Sequence, residues 1–179
     1  MNRFVLPLVV FGLLVIVLVV GLIHAPDKEL IASPLIGRTA PEFSLPNLHA
    51  GDPPVSAALL RGGWHLVNVW GTWCVECRAE HGELLQIAKA GQVPIIGIDW
   101  KDTNSDAEQW LALLGNPYAA VGTDQDGRVA IDWGVYGAPE SFLVNPQGVV
   151  VEKLYGPMSA ELWQDRFLPH LNAAPGGKS

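Results

Sequence analysis

The segment Trp70-Gly71-Thr72-Trp73-Cys74-Val75-Glu76-Cys77-Arg78 constrains the fold more than any other, because it joins two segments of different periodicity. Before it, His65-Leu66-Val67-Asn68-Val69-Trp70 has strand length and β-branched character. After it, Leu84, Leu85, Ile87 and Ala88 repeat at helical spacing, and Gly91 supplies a stop. The only two cysteines of 179 residues thus sit three apart where a strand hands over to a helix. A thiol at a helix N-terminus faces unpaired backbone N–H groups and the positive end of the dipole. That environment favours thiolate, the reactive form of cysteine.

A Cys-x-x-Cys can be an incidental pair, a metal site or a redox dithiol. Two cysteines placed at random seldom fall at this spacing behind a strand and beside a tryptophan. Structural zinc needs four ligands, whereas His24, His49, His65, His81 and His170 are scattered without H-x-x-x-H spacing. A thiolate pair with a remote histidine could carry Cu(I). A redox dithiol is the favoured reading, with no metal or organic cofactor. Cys74 comes first, at the helix entry, and is the expected nucleophile. Cys77 lies one turn on, faces back toward it and is expected to be less exposed.

Phe4 to Ile23 is an uncharged run of about 20 residues, and at ~1.5 Å per residue it matches the ~30 Å hydrocarbon layer. A cleaved leader would have a shorter apolar core and a small-x-small site, which Gly21-Leu22-Ile23-His24 does not offer. Arg3 on one flank, against Asp27, Lys28 and Glu29 on the other, places the N-terminus in the cytoplasm and the remainder outside. The expected organisation is a cytoplasmic N-terminus 1–3, a transmembrane anchor 4–23, a tether 24–36, a domain 37–172 and a flexible tail 173–179. A net charge of −7 with a pI near 5.1 argues against nucleic acid as a partner. Two cysteines cannot make a disulfide scaffold, so the domain must rest on its apolar core.

Residues 37–46 read as an edge strand or a loop, with Pro41 and Pro46 suited to an edge. Gly51-Asp52-Pro53-Pro54 is a turn, and Ser56 to Leu60 a short helix. Val93 to Trp100 reads as a strand covered on both faces. Ser105-Asp106-Ala107-Glu108 reads as a capping box for a helix closed by Gly115. A strand over Tyr118 to Val121, a turn at Asp124-Gln125-Asp126-Gly127 and a helix over Arg128 to Trp133 follow. That acidic turn lacks the remaining ligands of a calcium loop. Ser141 to Asn145 and Val149 to Leu154 form a hairpin around Pro146-Gln147-Gly148, and Ser159 caps a final helix to Leu171. This order is α/β with a mixed sheet.

Trp73-Cys74-Val75-Glu76-Cys77 after a strand resembles the thioredoxin superfamily. Arg78-Ala79-Glu80-His81, Gly115-Asn116-Pro117-Tyr118 and Gly134-Val135-Tyr136-Gly137-Ala138-Pro139-Glu140-Ser141-Phe142 resemble the membrane-tethered thiol–disulfide reductases of cytochrome c biogenesis (the CcmG/DsbE type). The resemblance covers nearly the whole chain. It departs at Val75-Glu76, where many relatives carry proline, which leaves the redox poise open. It implies a thioredoxin fold, a mixed central sheet flanked by helices with an N-terminal extension and a central insert.

It also implies residue roles. Ala138-Pro139 matches the superfamily's cis-proline, which faces the cysteine pair and leaves the Ala138 backbone to an extended substrate; a plain turn is the alternative. Trp73, Tyr136, Ala138 and Glu140 are expected to line that substrate groove. Glu80 and Glu140 match family glutamates near the active site linked to proton handling. Asn68 stands where thioredoxins have a buried acid, so Glu80 is expected to accept the Cys77 proton. Glu76 opposes thiolate and biases the couple toward a reductant, or is simply a solvated charge. The implied activity is reduction of disulfides in apocytochrome c or a maturation protein at the periplasmic face of a bacterial inner membrane. The implied electron source is a membrane thiol carrier of the DsbD or CcdA kind. A general periplasmic oxidase and a copper chaperone are the alternatives. A peroxidase would have Thr-x-x-Cys, whereas Thr72 stands two before Cys74.

Overall fold

A computed structural model describes residues 5–23 and 33–172. The tether expected at 24–36 falls mostly outside the described residues, and the tail 173–179 entirely so. Two units separate between Ile31 and Ala32. In the first, Val5–Ile23 forms α1, 19 residues long, uncharged and with nearly all its placed side chains exposed. Among the described residues no helix is long and apolar enough to cross a membrane. The anchor expected over 4–23 therefore has its apolar helix but not a full described span.

The second unit is built on a five-stranded sheet. Its strands are β3 (His65–Trp70), β4 (Ile95–Trp100), β5 (Ala120–Asp124), β6 (Glu140–Val144) and β7 (Val150–Tyr155), in the order β5-β4-β3-β6-β7. β3, β4 and β5 run parallel; β6 is antiparallel to β3 and β7 to β6. β3 reads as a nearly continuous apolar run because both of its faces are covered. On one face, Leu66, Trp70, Ile95, Leu143 and Leu154 pack under α2 (Val75–Ala90), α3 (Asn104–Leu114) and the C-terminal helix. On the other, Val67, Val69, Ile98, Phe142 and Val150 pack under the N-terminal extension and α4 (Arg128–Asp132). Trp133 and Phe142 have no exposure, and truncating such a side chain costs about 3–5 kcal/mol.

The extension, expected to be an edge strand or a loop, protects both sheet edges. Gly37 N–H donates to Val150 O and Ala40 N–H to Gly148 O, beside β7. Ser44–Leu45 (β1) pairs with Val55–Ser56 (β2) in a separate ribbon, and Leu48 N–H reaches Val121 O on β5. Unpaired edges invite association, and these are blunted. A 3-10 turn at Ala57–Leu60 fits the expected short helix.

Several boundaries differ from the sequence reading. The strand expected at Tyr118–Val121 is Ala120–Asp124: Asn116 Oδ1 accepts Tyr118 N–H and holds Tyr118 in a turn. The cap of α3 is Thr103 rather than Ser105; Thr103 Oγ1 accepts Asp106 N–H and donates to Asp106 Oδ2. The cap therefore sits two residues earlier, and Thr103 N–H goes to Asp102 Oδ1, so the reciprocal half of a capping box is not made. Ser159 caps the last helix, with Oγ accepting Leu162 N–H. That helix is α5 (Ala160–Leu162), a π-helical stretch Trp163–Phe167 and α6 (Leu168–Asn172). The π turn carries Trp163 and Phe167 inward and has no sequence signature in this chain.

Candidate active site

β3 ends at Trp70, the chain turns through Gly71-Thr72-Trp73, and Cys74 becomes the N-cap of α2. The turn is tied down twice. Thr72 N–H donates to the Asp102 carboxylate, and Trp73 Nε1 donates to Trp100 O at 3.1 Å. Cys74 Sγ accepts Cys77 N–H at 3.0 Å, so the first sulfur does receive an unpaired helix amide. The two cysteines are joined as a disulfide, their Cα atoms 5.3 Å apart. The expected contrast in exposure is absent: Cys74 is 5% and Cys77 3% exposed. In the closed disulfide both pack into the core, and the asymmetry lies in the cap position instead.

Glu80 lies one turn beyond Cys77 on α2 and is 1% exposed. Its Oε1 accepts from Asn68 Nδ2 at 2.9 Å and its Oε2 from Met158 N–H at 2.7 Å. Burial pushes its carboxyl from 4.5 up to about 7, against the pull of those two donors, and the Glu76 charge adds to the rise. Asn68 is itself enclosed, donating to Ser141 Oγ and accepting from Tyr118 O–H at 2.9 Å. The neutral amide thus links Glu80 to Tyr118, whose hydroxyl burial holds well above the usual phenol range. A carboxyl poised near neutrality can exchange protons at little cost.

The Ala138–Pro139 peptide bond is cis, as the resemblance implied, and Ala138 packs on the cluster that holds both cysteines. Trp73 is 51%, Tyr136 75% and Val75 84% exposed. Glu140 departs from expectation. It is 2% exposed, so its side chain cannot meet a substrate directly. Its Oε1 accepts Tyr136 N–H at 2.7 Å and Gly137 N–H at 3.2 Å, and Oε2 lies 2.8 Å from Lys153 Nζ. Lys153 also donates to Gly134 O and sits 4.1 Å over the Tyr155 ring. The buried pair holds the 134–139 loop in shape, and removing either partner would leave the other as an uncompensated buried charge.

Sequence reasoning missed Lys153, Asp102 and Asp99. Lys153 could have been suspected as one cation in a strand of alternating residues, but its partner is distant in sequence. Asp102 sits in a loop where an acid is ordinary. Asp99, in the apolar run of β4, has no exposure, and neither carboxylate oxygen has a hydrogen-bond partner. Burial, with the nearby Asp102 charge, pushes it from 3.8 up to about 8. Its only signal was being the single charged residue between Ile95-Ile96-Gly97-Ile98 and Trp100.

The sequence profile of the AhpC/TSA family matches residues 36–153. A thiol:disulfide interchange protein DsbE of Allochromatium vinosum is 43% identical over 177 residues, covering 99% of this chain and 97% of the relative. The DsbE of Pseudomonas aeruginosa is 42% identical over 164 residues, covering 92% and 89%. Among solved structures, a thioredoxin-family thiol:disulfide interchange protein of Chlorobium tepidum matches with a TM-score of 0.57 at 29% identity, covering 68% of this chain and 87% of its own. A secreted thiol-disulfide isomerase of Corynebacterium glutamicum matches with a TM-score of 0.69 at 19% identity, covering 83% and 96%, which speaks to the fold alone. A thioredoxin fold with its disulfide at the head of α2 and relatives over nearly its full length make this chain a thiol–disulfide oxidoreductase, and it belongs to the AhpC/TSA family and, within it, to the thiol:disulfide interchange proteins of the DsbE kind.

Proposed function

We propose that the chain is a membrane-anchored periplasmic reductase for disulfides of apocytochrome c, or of a protein that matures it. The single observation that carries the redox part is the Cys74–Cys77 bond at the N-cap of α2, beside a buried carboxyl poised near neutrality. The uncharged helix α1 supports the anchor, since 19 residues at ~1.5 Å each reach nearly across a hydrocarbon layer. The cytochrome substrate rests on the resemblance to the CcmG/DsbE type.

In the reduced protein the Cys74 thiolate attacks one substrate sulfur, the substrate S–S bond breaks, and the departing sulfur takes a proton. Cys77 then gives its proton to ionised Glu80 and attacks Cys74 Sγ. The mixed disulfide breaks, the Cys74–Cys77 bond forms, and the second substrate sulfur leaves and takes a proton. Two electrons and two protons thus pass to the substrate. Trp73, Tyr136 and the Ala138-Pro139 backbone hold the substrate segment extended over the pair. A membrane dithiol donor of the DsbD or CcdA kind then reduces the Cys74–Cys77 bond back to two thiols and is itself oxidised to a disulfide.

The test is holocytochrome c formation in a host lacking its own copy of this protein. The full chain restores it; Cys74→Ala and Cys77→Ala do not, and a chain lacking residues 1–23 restores it poorly. Restoration by Cys74→Ala would overturn the proposal.

A further inference from the structure

Asp99 is, among the described residues, a buried carboxyl in register with the end of the strand that leads into the Cys74 turn, and the reaction as written leaves it unused. It is the penultimate residue of β4, in register with Trp70, the last residue of β3 before the Cys74 turn. The alternation of a strand puts it on the same sheet face as Asn68 and Trp70, since Asn68 pairs with Gly97 and Trp70 with Asp99. Tyr118 stacks on Trp70 with centroids 5.3 Å apart and donates to Asn68, so Asp99 shares the space under the redox site with the Glu80 network. The two straps on the Cys74 turn come from Trp100 and Asp102, which closely follow Asp99 in the chain.

We propose that Asp99 is a second proton-holding carboxyl of the redox centre, neutral while Cys74 carries a thiolate, whose ionisation opposes that thiolate and slows disulfide exchange. The inference rests on the dithiol-exchange reading. An ionised carboxylate with no exposure and no hydrogen bond to either oxygen is costly, so the folded protein retains the proton. Burial and Asp102 push the group in the same direction. The groups around it are Asp102 on the following loop, Tyr118 ahead of β5 and, through Asn68, Glu80 on α2. On β5 its register partner is the uncharged Thr123, and on α3 Asp106 is bonded to Thr103. The nearby cations are engaged elsewhere, Lys101 Nζ 5.1 Å over the Trp100 ring and the Arg78 guanidinium 4.5 Å over Trp110. Nothing on these elements neutralises a charge at Asp99. Loss of its proton to solvent, with no electron moved, therefore places one negative charge beneath the turn that carries Cys74.

The experiment is alkylation of the reduced full chain by iodoacetamide, read at Cys74 by mass spectrometry from pH 5 to pH 10. Asp99→Asn should react at the wild-type rate near pH 6 and at least about two-fold faster at pH 8.5. Asp99→Leu, which removes the charge without adding a donor, should give the same ratio. A ratio that does not change with pH overturns the role of Asp99, because a purely structural effect carries no such dependence. Should both substitutions disturb the fold, the carboxyl carbon resonance of Asp99 in the reduced wild type decides. At pH 7 it lies at the protonated position if the proposal holds and at the ionised position if it does not. Disulfide exchange with glutathione, measured alongside, separates the two claims. Its absence in the wild type overturns the dithiol reading, whereas normal exchange with a flat ratio overturns only Asp99.

Discussion

Glu80→Gln converts the buried acid into a permanent mimic of its protonated form. In the folded protein this carboxyl is raised from 4.5 to about 7, chiefly by burial. A raised group stabilises the fold fully below its unfolded value and loses that contribution as pH climbs through the folded value. At about 1.36 kcal/mol per pH unit, the wild type loses on the order of 3 kcal/mol from Glu80 between pH 4.5 and pH 8. The glutamine variant loses none. Asp99, His65 and His81 titrate in both proteins and largely cancel in the comparison. The variant's side-chain amide can accept only one of the two bonds from Asn68 and Met158, but so can a protonated Glu80, so that cost is shared at low pH. The assay is denaturant unfolding of the oxidised full chain in mild detergent, followed by tryptophan fluorescence at pH 4.5 and pH 8. The stability of Glu80→Gln relative to wild type should rise by about 3 kcal/mol between the two. A relative stability constant to within about 0.5 kcal/mol would show that Glu80 does not titrate in the folded state, and the reasoning would fail.

Lys153→Met should cost about 3–5 kcal/mol in denaturant unfolding, because it leaves Glu140 charged and buried without its partner. Adding Glu140→Gln should recover most of that loss; a fully additive double variant would show that the pair is not coupled. Gly97→Ala should destabilise by about 1–3 kcal/mol, since its methyl group would lie about 2.9 Å from Trp70 Nε1 and 3.0 Å from the Tyr118 ring. Unchanged thermal unfolding would contradict that packing. Glu76→Gln removes an exposed charge from the first turn of α2 and should raise the reduction potential by roughly 20 mV or less, measured against glutathione. A lower potential would refute its role in favouring the reductant.

The parts of this protein legible in the sequence are those written by local chemistry. β3 and α2 fall at the residues where apolar run and helical repeat predict them, and Gly91 closes α2 in the left-handed conformation a glycine permits. The Cys74 cap follows from the junction itself. What was illegible depends on partners far apart in the chain. Glu140 reads as a groove residue until Lys153, on another strand, is placed 2.8 Å away. Asp99 reads as the end of an apolar strand until its enclosure is known. Cys74 reads as exposed until Ala138, more than sixty positions later, is seen to pack against the buried cluster that holds the pair. The strand expected from Tyr118 started late because a side chain, Asn116, captured the backbone first.

The central claim is that Cys74 exchanges disulfides with other proteins and Cys77 releases them. Expressing the full chain with Cys77→Ala and resolving alkylated membranes without reductant tests it most directly. Adducts that collapse on reduction, with Cys74 in the linkage and no counterpart for the Cys74→Ala, Cys77→Ala double variant, are predicted. A Cys77→Ala chain that stays free, or adducts that persist without Cys74, would contradict it.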